Sequence, residues 1–168
     1  MACEKHFTRS APTKMGNFQL LASPRGLRAI YWPGQPLPLK PHAADLGPPE
    51  FLKTTACQLA NYFAGKCVKF TDPLDLSHLS PFAQKVYRAL IRVPYGQTTT
   101  YGQLARQISK PTAGRAVGAV LARNPLPIII PCHRVVRSDG SLGGYSAPGG
   151  PAMKGQLLAI EHVVLADC

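Results

Sequence analysis

Cys132 and His133 stand side by side in "IPCHRVV" (Ile130–Val136), directly after the apolar run "LPIII" (Leu126–Ile130). A thiol next to an imidazole admits three chemistries: a nucleophile served by a base, a metal ligand, or a small buried hydrophobe. The nucleophilic reading needs a stabilised thiolate, a base to take its proton, and a third group to orient that base. "LPIII" predicts a buried strand, and successive strand residues point to opposite faces. His133 can therefore serve Cys132 only if the strand breaks at Pro131 or just beyond. The five cysteines, Cys3, Cys57, Cys67, Cys132 and Cys168, are odd in number and widely spaced, with no CxxC pair. That spacing argues against a disulfide framework and against a structural zinc site. The local residues leave a nucleophile and a buried structural cysteine both open.

Charge points outward from this site. The 168-residue chain has a formal charge of +11, and no acidic residue occurs between Asp75 and Asp139. The same interval carries Lys85, Arg88, Arg92, Arg106, Lys110, Arg115, Arg123, Arg134 and Arg137. A stretch of one sign repels itself unless a polyanion neutralises it, so nucleic acid is preferred as partner over a merely basic soluble protein. A hydrophobic content of 45% is that of a globular domain. No apolar run is long enough to span a bilayer, and the N-terminus has no secretory h-region, so an intracellular protein with no membrane partner is expected.

Two lobes must position the chemistry. Residues 1–48 are rich in Pro and Gly, with "FQLLA" (Phe18–Ala22) and "GLRAIYW" (Gly26–Trp32) as strands of a hairpin joined by "SPR". From Pro49, "PEFLKTTACQLANYFAG" predicts a helix, followed by an extended connector, "KCVKFTDPLDLSHLS". A boundary near Ser80 divides an N-terminal lobe, 1–79, from a C-terminal lobe, 80–168. The second lobe opens with "SPFAQKVYRALIRVPYG", a Ser-capped helix running to Pro94. "TTTYGQLARQI" and "AGRAVGAVLARN" then predict two helices joined by a short turn, a helix-turn-helix pattern, the last stopped by Asn124-Pro125. Gly114, Ala116, Gly118, Ala119 and Ala122 make the third helix thin, either for close packing or to enter a narrow space such as the DNA minor groove beside Arg115. A Gly/Pro-rich loop carrying Tyr145 leads to a final helix from Pro151 or Ala152, with Met153, Leu157, Ile160 and Val164 in phase. The fold class expected is α+β: a small antiparallel sheet with a helix, then a mostly helical lobe.

Several motifs occur in a fixed order: "YFAG", "PYGQTTTYGQLA", "RAVGAVLARNP", "IPCHRVV", "GGYS" and "KGQLLAIE". Together they resemble one family, the O6-alkylguanine-DNA alkyltransferases, which are single-turnover DNA repair proteins. The resemblance is specific from about Phe82 to Glu161 and weaker, though ordered, in the first lobe. It implies that Cys132 accepts the alkyl group, that His133 takes the thiol proton through a water, and that Glu161 orients His133. Asn124 would organise the hydrogen bonds around them. Tyr101 would touch a backbone phosphate and donate a proton to the departing guanine. Arg115 would fill the gap left by a flipped nucleotide, with Ala116, Gly118, Ala119 and Ser138 as further DNA contacts. Tyr145 and Ser146 would close over the base, with the Val135 backbone and Pro127 completing the pocket.

The resemblance implies a partner, double-stranded DNA containing O6-alkylguanine, and extends to O4-alkylthymine. It implies no cofactor, a monomer, and cooperative binding along DNA. The compartment would be the cytoplasm with the nucleoid in a prokaryote, or the nucleus in a eukaryote. Some relatives hold an N-terminal zinc; Cys3 and His6 are near each other here without a matching cysteine in the strand region, so no metal is expected. The loop after Tyr145 is longer than the family pattern, and His162 replaces a common Gly. Three other functions compete: a lesion sensor, which would lack the cysteine; a helix-turn-helix regulator, which would need large polar side chains on the third helix; and a cysteine hydrolase, which leaves the acid-free interval unexplained.

Overall fold

The computed structural model describes residues 6–37 and 49–162; Cys3 and Val164 lie outside them, as do residues 38–48 of the Pro/Gly-rich stretch. The chain divides into two compact units, Met1–His78 and Leu79–Cys168, and the class is α+β.

The first unit is a three-stranded antiparallel sheet in the order β1 (Phe7–Thr13), β2 (Gly16–Ser23), β3 (Gly26–Tyr31), with one helix, α1 (Phe51–Phe63). The second and third strands and the helix match the sequence expectation. The first strand was not expected, because its residues are mixed polar and include Pro12. Pro cannot donate to a ladder, but β1 lies at the edge of the sheet, where that is tolerated. Ala11, Phe18, Leu20, Leu27, Leu52 and Leu59 form a buried core. Phe18 packs its ring 5.1 Å from those of Trp32 and Phe63. The connector is tied back to β3 at Gly26 and Leu27: Leu27 N donates to Pro73 O (2.8 Å), and a Cβ on Gly26 would lie 2.5 Å from that oxygen. Only glycine fits there.

The second unit is built from α2 (Pro81–Leu90), α3 (Tyr101–Gln107), α4 (Gly114–Leu121) and α5 (Gly150–Ile160). Ser80 caps α2 by accepting from Ala83 N (3.2 Å), with Pro81 at the first helical position. The helix ends at Leu90, earlier than Pro94, and Ile91–Val93 follow as a turn. Its inner face, Ala83, Val86, Tyr87, Ala89 and Leu90, is buried, and Tyr87 donates its hydroxyl to Val120 O (2.7 Å). Full burial of a side chain the size of Val or Leu contributes about 1.5–3 kcal/mol, so this face fixes where α2 sits. Thr100 and Gln103 form a capping box at the start of α3. A two-residue strand, β4 (Thr99–Thr100), pairs in parallel with β5 (Val135–Val136), a pairing that no sequence pattern indicated. Among the described residues no helix is long and apolar enough to cross a membrane.

Candidate active site

Leu126–Ile130 is not a strand. All five residues are buried, yet their backbone turns twice before Cys132. Ile129 N donates to Pro127 O (2.9 Å), closing a three-residue turn around Ile128, whose φ is 75°. Cys132 N donates to Ile130 O (2.8 Å), closing a second around Pro131 at φ −81°, ψ 63°. The first is the rare, strained form of γ-turn and the second its relaxed mirror form. Asn124 staples this loop from within: Oδ1 accepts from Leu126 N (3.0 Å), while Nδ2 donates to Ile130 O (2.8 Å) and to Cys132 Sγ (3.1 Å). A short apolar run reads alike as a buried strand or a buried loop, and here the backbone bonds close locally instead of across a ladder.

The chain turns at Pro131 with no strand before it to break. Cys132–Arg134 form one turn of 3-10 helix, and β5 follows at once. The turn sends His133 inward, where it is fully buried and its Nε2 lies 2.7 Å from Glu161 Oε1. Glu161 sits at the C-terminal cap of α5, also buried. Its Oε2 accepts from Arg134 Nε (2.8 Å) and Gly96 N (3.2 Å), and its Oε1 accepts a second bond from Arg134 Nη2 (3.0 Å). Gly96 has φ +75°, and a Cβ there would stand 3.2 Å from the Glu161 carbonyl oxygen. The glycine of "PYG" is thus required by the approach of α5.

Cys132 opens on a cavity of about 260 Å³, which α3 and α4 line with Tyr101, Gly118 and Leu121 and the loop before α5 lines with Tyr145 and Ser146. Pro127 and Val135 are buried but do not line it. Gly118 faces the Tyr101 ring, where a Cβ would make ordinary contact at 3.6 Å. Arg115, Ala116 and Ala119 lie on the exposed side of α4, while Val117 and Leu121 form its buried side. Ser138 is exposed in the turn after β5.

Burial pushes the Cys132 thiol above its ordinary range, against hydrogen bonds from Asn124 and Tyr145 and the nearby Lys154 charge, all of which favour the thiolate. Burial likewise pushes His133 down, against the opposing pull of Glu161. For Glu161, burial raises the carboxyl, but hydrogen bonds from His133 and Arg134 outweigh it and bring it to about 2. The resting site is therefore a neutral thiol, a neutral imidazole able to accept a proton, and a carboxylate.

Two site residues were missed from the sequence. Arg134 was counted with the cations facing a polyanion; it is buried and engaged by Glu161 and by Val93 O (2.6 Å), which corrects that assignment. Lys154, also fully buried, donates Nζ to Val135 O (2.6 Å), to Leu142 O and to Gly144 O (3.5 Å). Burial lowers it to about 8. It ties the strand after Cys132 to the loop that carries Tyr145. Neither residue's neighbours in the sequence signal that its charged end is buried.

The family model described as 6-O-methylguanine DNA methyltransferase, DNA binding domain, matches residues 81–163, and that of the ribonuclease-like domain matches residues 6–76. A methylated-DNA--protein-cysteine methyltransferase of Mycobacterium leprae (strain TN) is 48% identical over 111 residues, covering 66% of each chain. The matched segment thus spans just under two thirds of that relative. One of Methanosarcina barkeri is 47% identical over 117 residues, 67% of this chain and 70% of that protein. Among solved structures, that of Mycobacterium tuberculosis OGT in complex with DNA superimposes with a TM-score of 0.77 at 36% identity, covering 93% of both chains. With both lobes matched in order, Cys132 at the cavity and the next residue, His133, paired with Glu161, the chain belongs to the 6-O-methylguanine DNA methyltransferase family.

Proposed function

We propose that the protein repairs alkylated DNA by direct reversal, moving the alkyl group of O6-alkylguanine, and of O4-alkylthymine, from duplex DNA onto Cys132, once per molecule. The observation that carries the reading is Cys132 Sγ, bonded by Asn124 at 3.1 Å and opening on a cavity walled by Tyr101 and Tyr145. Neutral His133 takes the thiol proton through a water, with Glu161 holding the imidazole by Nε2. Sulfur attacks the alkyl carbon in line as the carbon–oxygen bond breaks. The electron pair leaves with the guanine, which Tyr101 protonates. The thioether formed is inert at neutral pH, so the site is consumed.

A base inside a duplex cannot reach a recessed sulfur, so the nucleotide must be extruded at a cost of a few kcal/mol. In this reading α3 and α4 act as a helix-turn-helix, the slim exposed side of α4 with Ala116 and Ala119, and Gly118 next to it, lies in the minor groove, and Arg115 occupies the vacated stack. Ser138 adds a backbone contact. The protein acts as a monomer without a cofactor, binds cooperatively along DNA, and works in the compartment that holds the chromosome.

The test is an intact-mass measurement after incubation with a duplex containing O6-methylguanine. One methyl group should appear on Cys132, unmodified guanine should be recovered, and no second turnover should follow. Cys132→Ala should bind the duplex without reacting, and Arg115→Ala should slow transfer from the duplex. An unchanged mass with tight lesion binding would replace this reading with that of a sensor.

A further inference from the structure

The buried guanidinium of Arg134 has more to do than balance a charge. Nε and Nη2 grip both oxygens of Glu161 at 2.8 and 3.0 Å, in the two-pronged geometry that only Arg offers. Nη1 donates to Val93 O at 2.6 Å, just beyond α2, and Cζ lies 5.9 Å from the centre of the Tyr95 ring. Tyr95 in turn donates its hydroxyl to Ile160 O (2.9 Å), in the last turn of α5. Three segments distant in sequence thus meet at one side chain: the turn after α2, the nucleophile's own turn, and the end of α5.

We infer that Arg134 is a positioning residue for Cys132, His133 and Glu161: it orients the carboxylate towards His133 and limits how strongly that carboxylate holds a proton on the imidazole. This rests on the reading above that His133 serves Cys132 as base. The groups facing His133 are Glu161 and Lys154 from α5 and Arg134 from its own turn. Glu161 favours the imidazolium; Arg134 and Lys154 oppose it. A carboxylate beside imidazole favours the protonated ring, and a protonated ring cannot accept the thiol proton. Burial is the main force that keeps the ring neutral, and Arg134 adds to it by sharing the carboxylate's charge. Removing it raises the pH below which His133 is protonated, so the acid limb of Cys132 reactivity moves upward.

The experiment follows alkylation of Cys132 by iodoacetamide across pH. Sulfur displaces iodide, and the thiol proton passes through His133 to buffer. Peptide mass separates Cys132 from Cys57 and Cys67, which are exposed. In Arg134→Met the acid limb should lie about one pH unit higher than in the wild type, the size expected for removing one neighbouring charge. Arg134→Lys keeps the charge without the fork, so its limb should stay near the wild-type position while its rate falls at every pH. A lower rate in Arg134→Met with an unmoved limb would reduce Arg134 to a structural brace and overturn the inference. So would an Arg134→Lys protein equal to wild type in rate and limb, and that comparison stands even if Arg134→Met does not fold. A His133→Ala protein with the wild-type profile would instead remove the base reading beneath it.

Discussion

Asn124 shows how much one side chain can decide. Its amide closes the loop at Leu126 and Ile130 and donates to the sulfur, using three of its four hydrogen-bonding positions. When the thiolate forms, the bond to Sγ becomes charge-assisted, worth about 1.5–3 kcal/mol. Asn124→Ala should therefore slow methyl transfer about ten- to a hundredfold in a single-turnover quench assay. Its affinity for the lesion duplex should fall far less. Equal losses of rate and affinity would mean that Asn124 supports the fold alone. At this scale the sequence was informative for side chains that do chemistry. Cys132, His133, Asn124 and Glu161 were all named from motifs; Asn124 reaches Cys132, and Glu161 reaches His133. It was uninformative for side chains whose role depends on burial. Arg134 read as one of the cations facing a polyanion and Lys154 drew no role, because nothing in their neighbours states that carbonyls and a carboxylate await them inside.

At the scale of elements, propensity and capping rules located the helices well, since their ends are marked by local chemistry: Ser80 and Pro81 at α2, Thr100 and Gln103 at α3. They failed at Leu126–Ile130, where β-branched residues fill a turn that packing imposes. The strain this stores is testable. Ile128 is buried and holds φ 75°, a conformation that costs a β-branched residue about 1–3 kcal/mol and a glycine almost nothing. Ile128→Ala and Ile128→Gly both lose the buried side chain, so both should be less stable than wild type in urea. Between them, the usual order should invert, with Gly more stable than Ala by about 1 kcal/mol, against its ordinary deficit of 0.5–1 kcal/mol in a helix or strand. If Ala proved the more stable, the loop would relax out of the γ-turn when Ile128 is cut back, and the turn would not be what sets Cys132 in place.

For the molecule as a whole, the question is where the charge of +11 can act. Of the nine cations between Asp75 and Asp139, eight are exposed: Lys85, Arg88, Arg92, Arg106, Lys110, Arg115, Arg123 and Arg137. The ninth, Arg134, is enclosed with Glu161 and contributes little field outside. Exposed cations that meet phosphates release counterions, and each such contact adds about 0.9 to the slope of log affinity against log salt. Duplex binding measured in a Cys132→Ala background should therefore weaken steeply with salt. Adding Arg115→Ala should lower the slope by about one, as loss of a single cation held within the duplex's field does. Adding Arg134→Gln should leave the slope unchanged, although it removes the same formal charge. Circular dichroism on that variant would establish that it is folded before the comparison is made. Equal loss of slope in both variants would mean that Arg134 reaches the duplex, and the division between a polyanion-facing surface and an inward-facing guanidinium would have to be withdrawn.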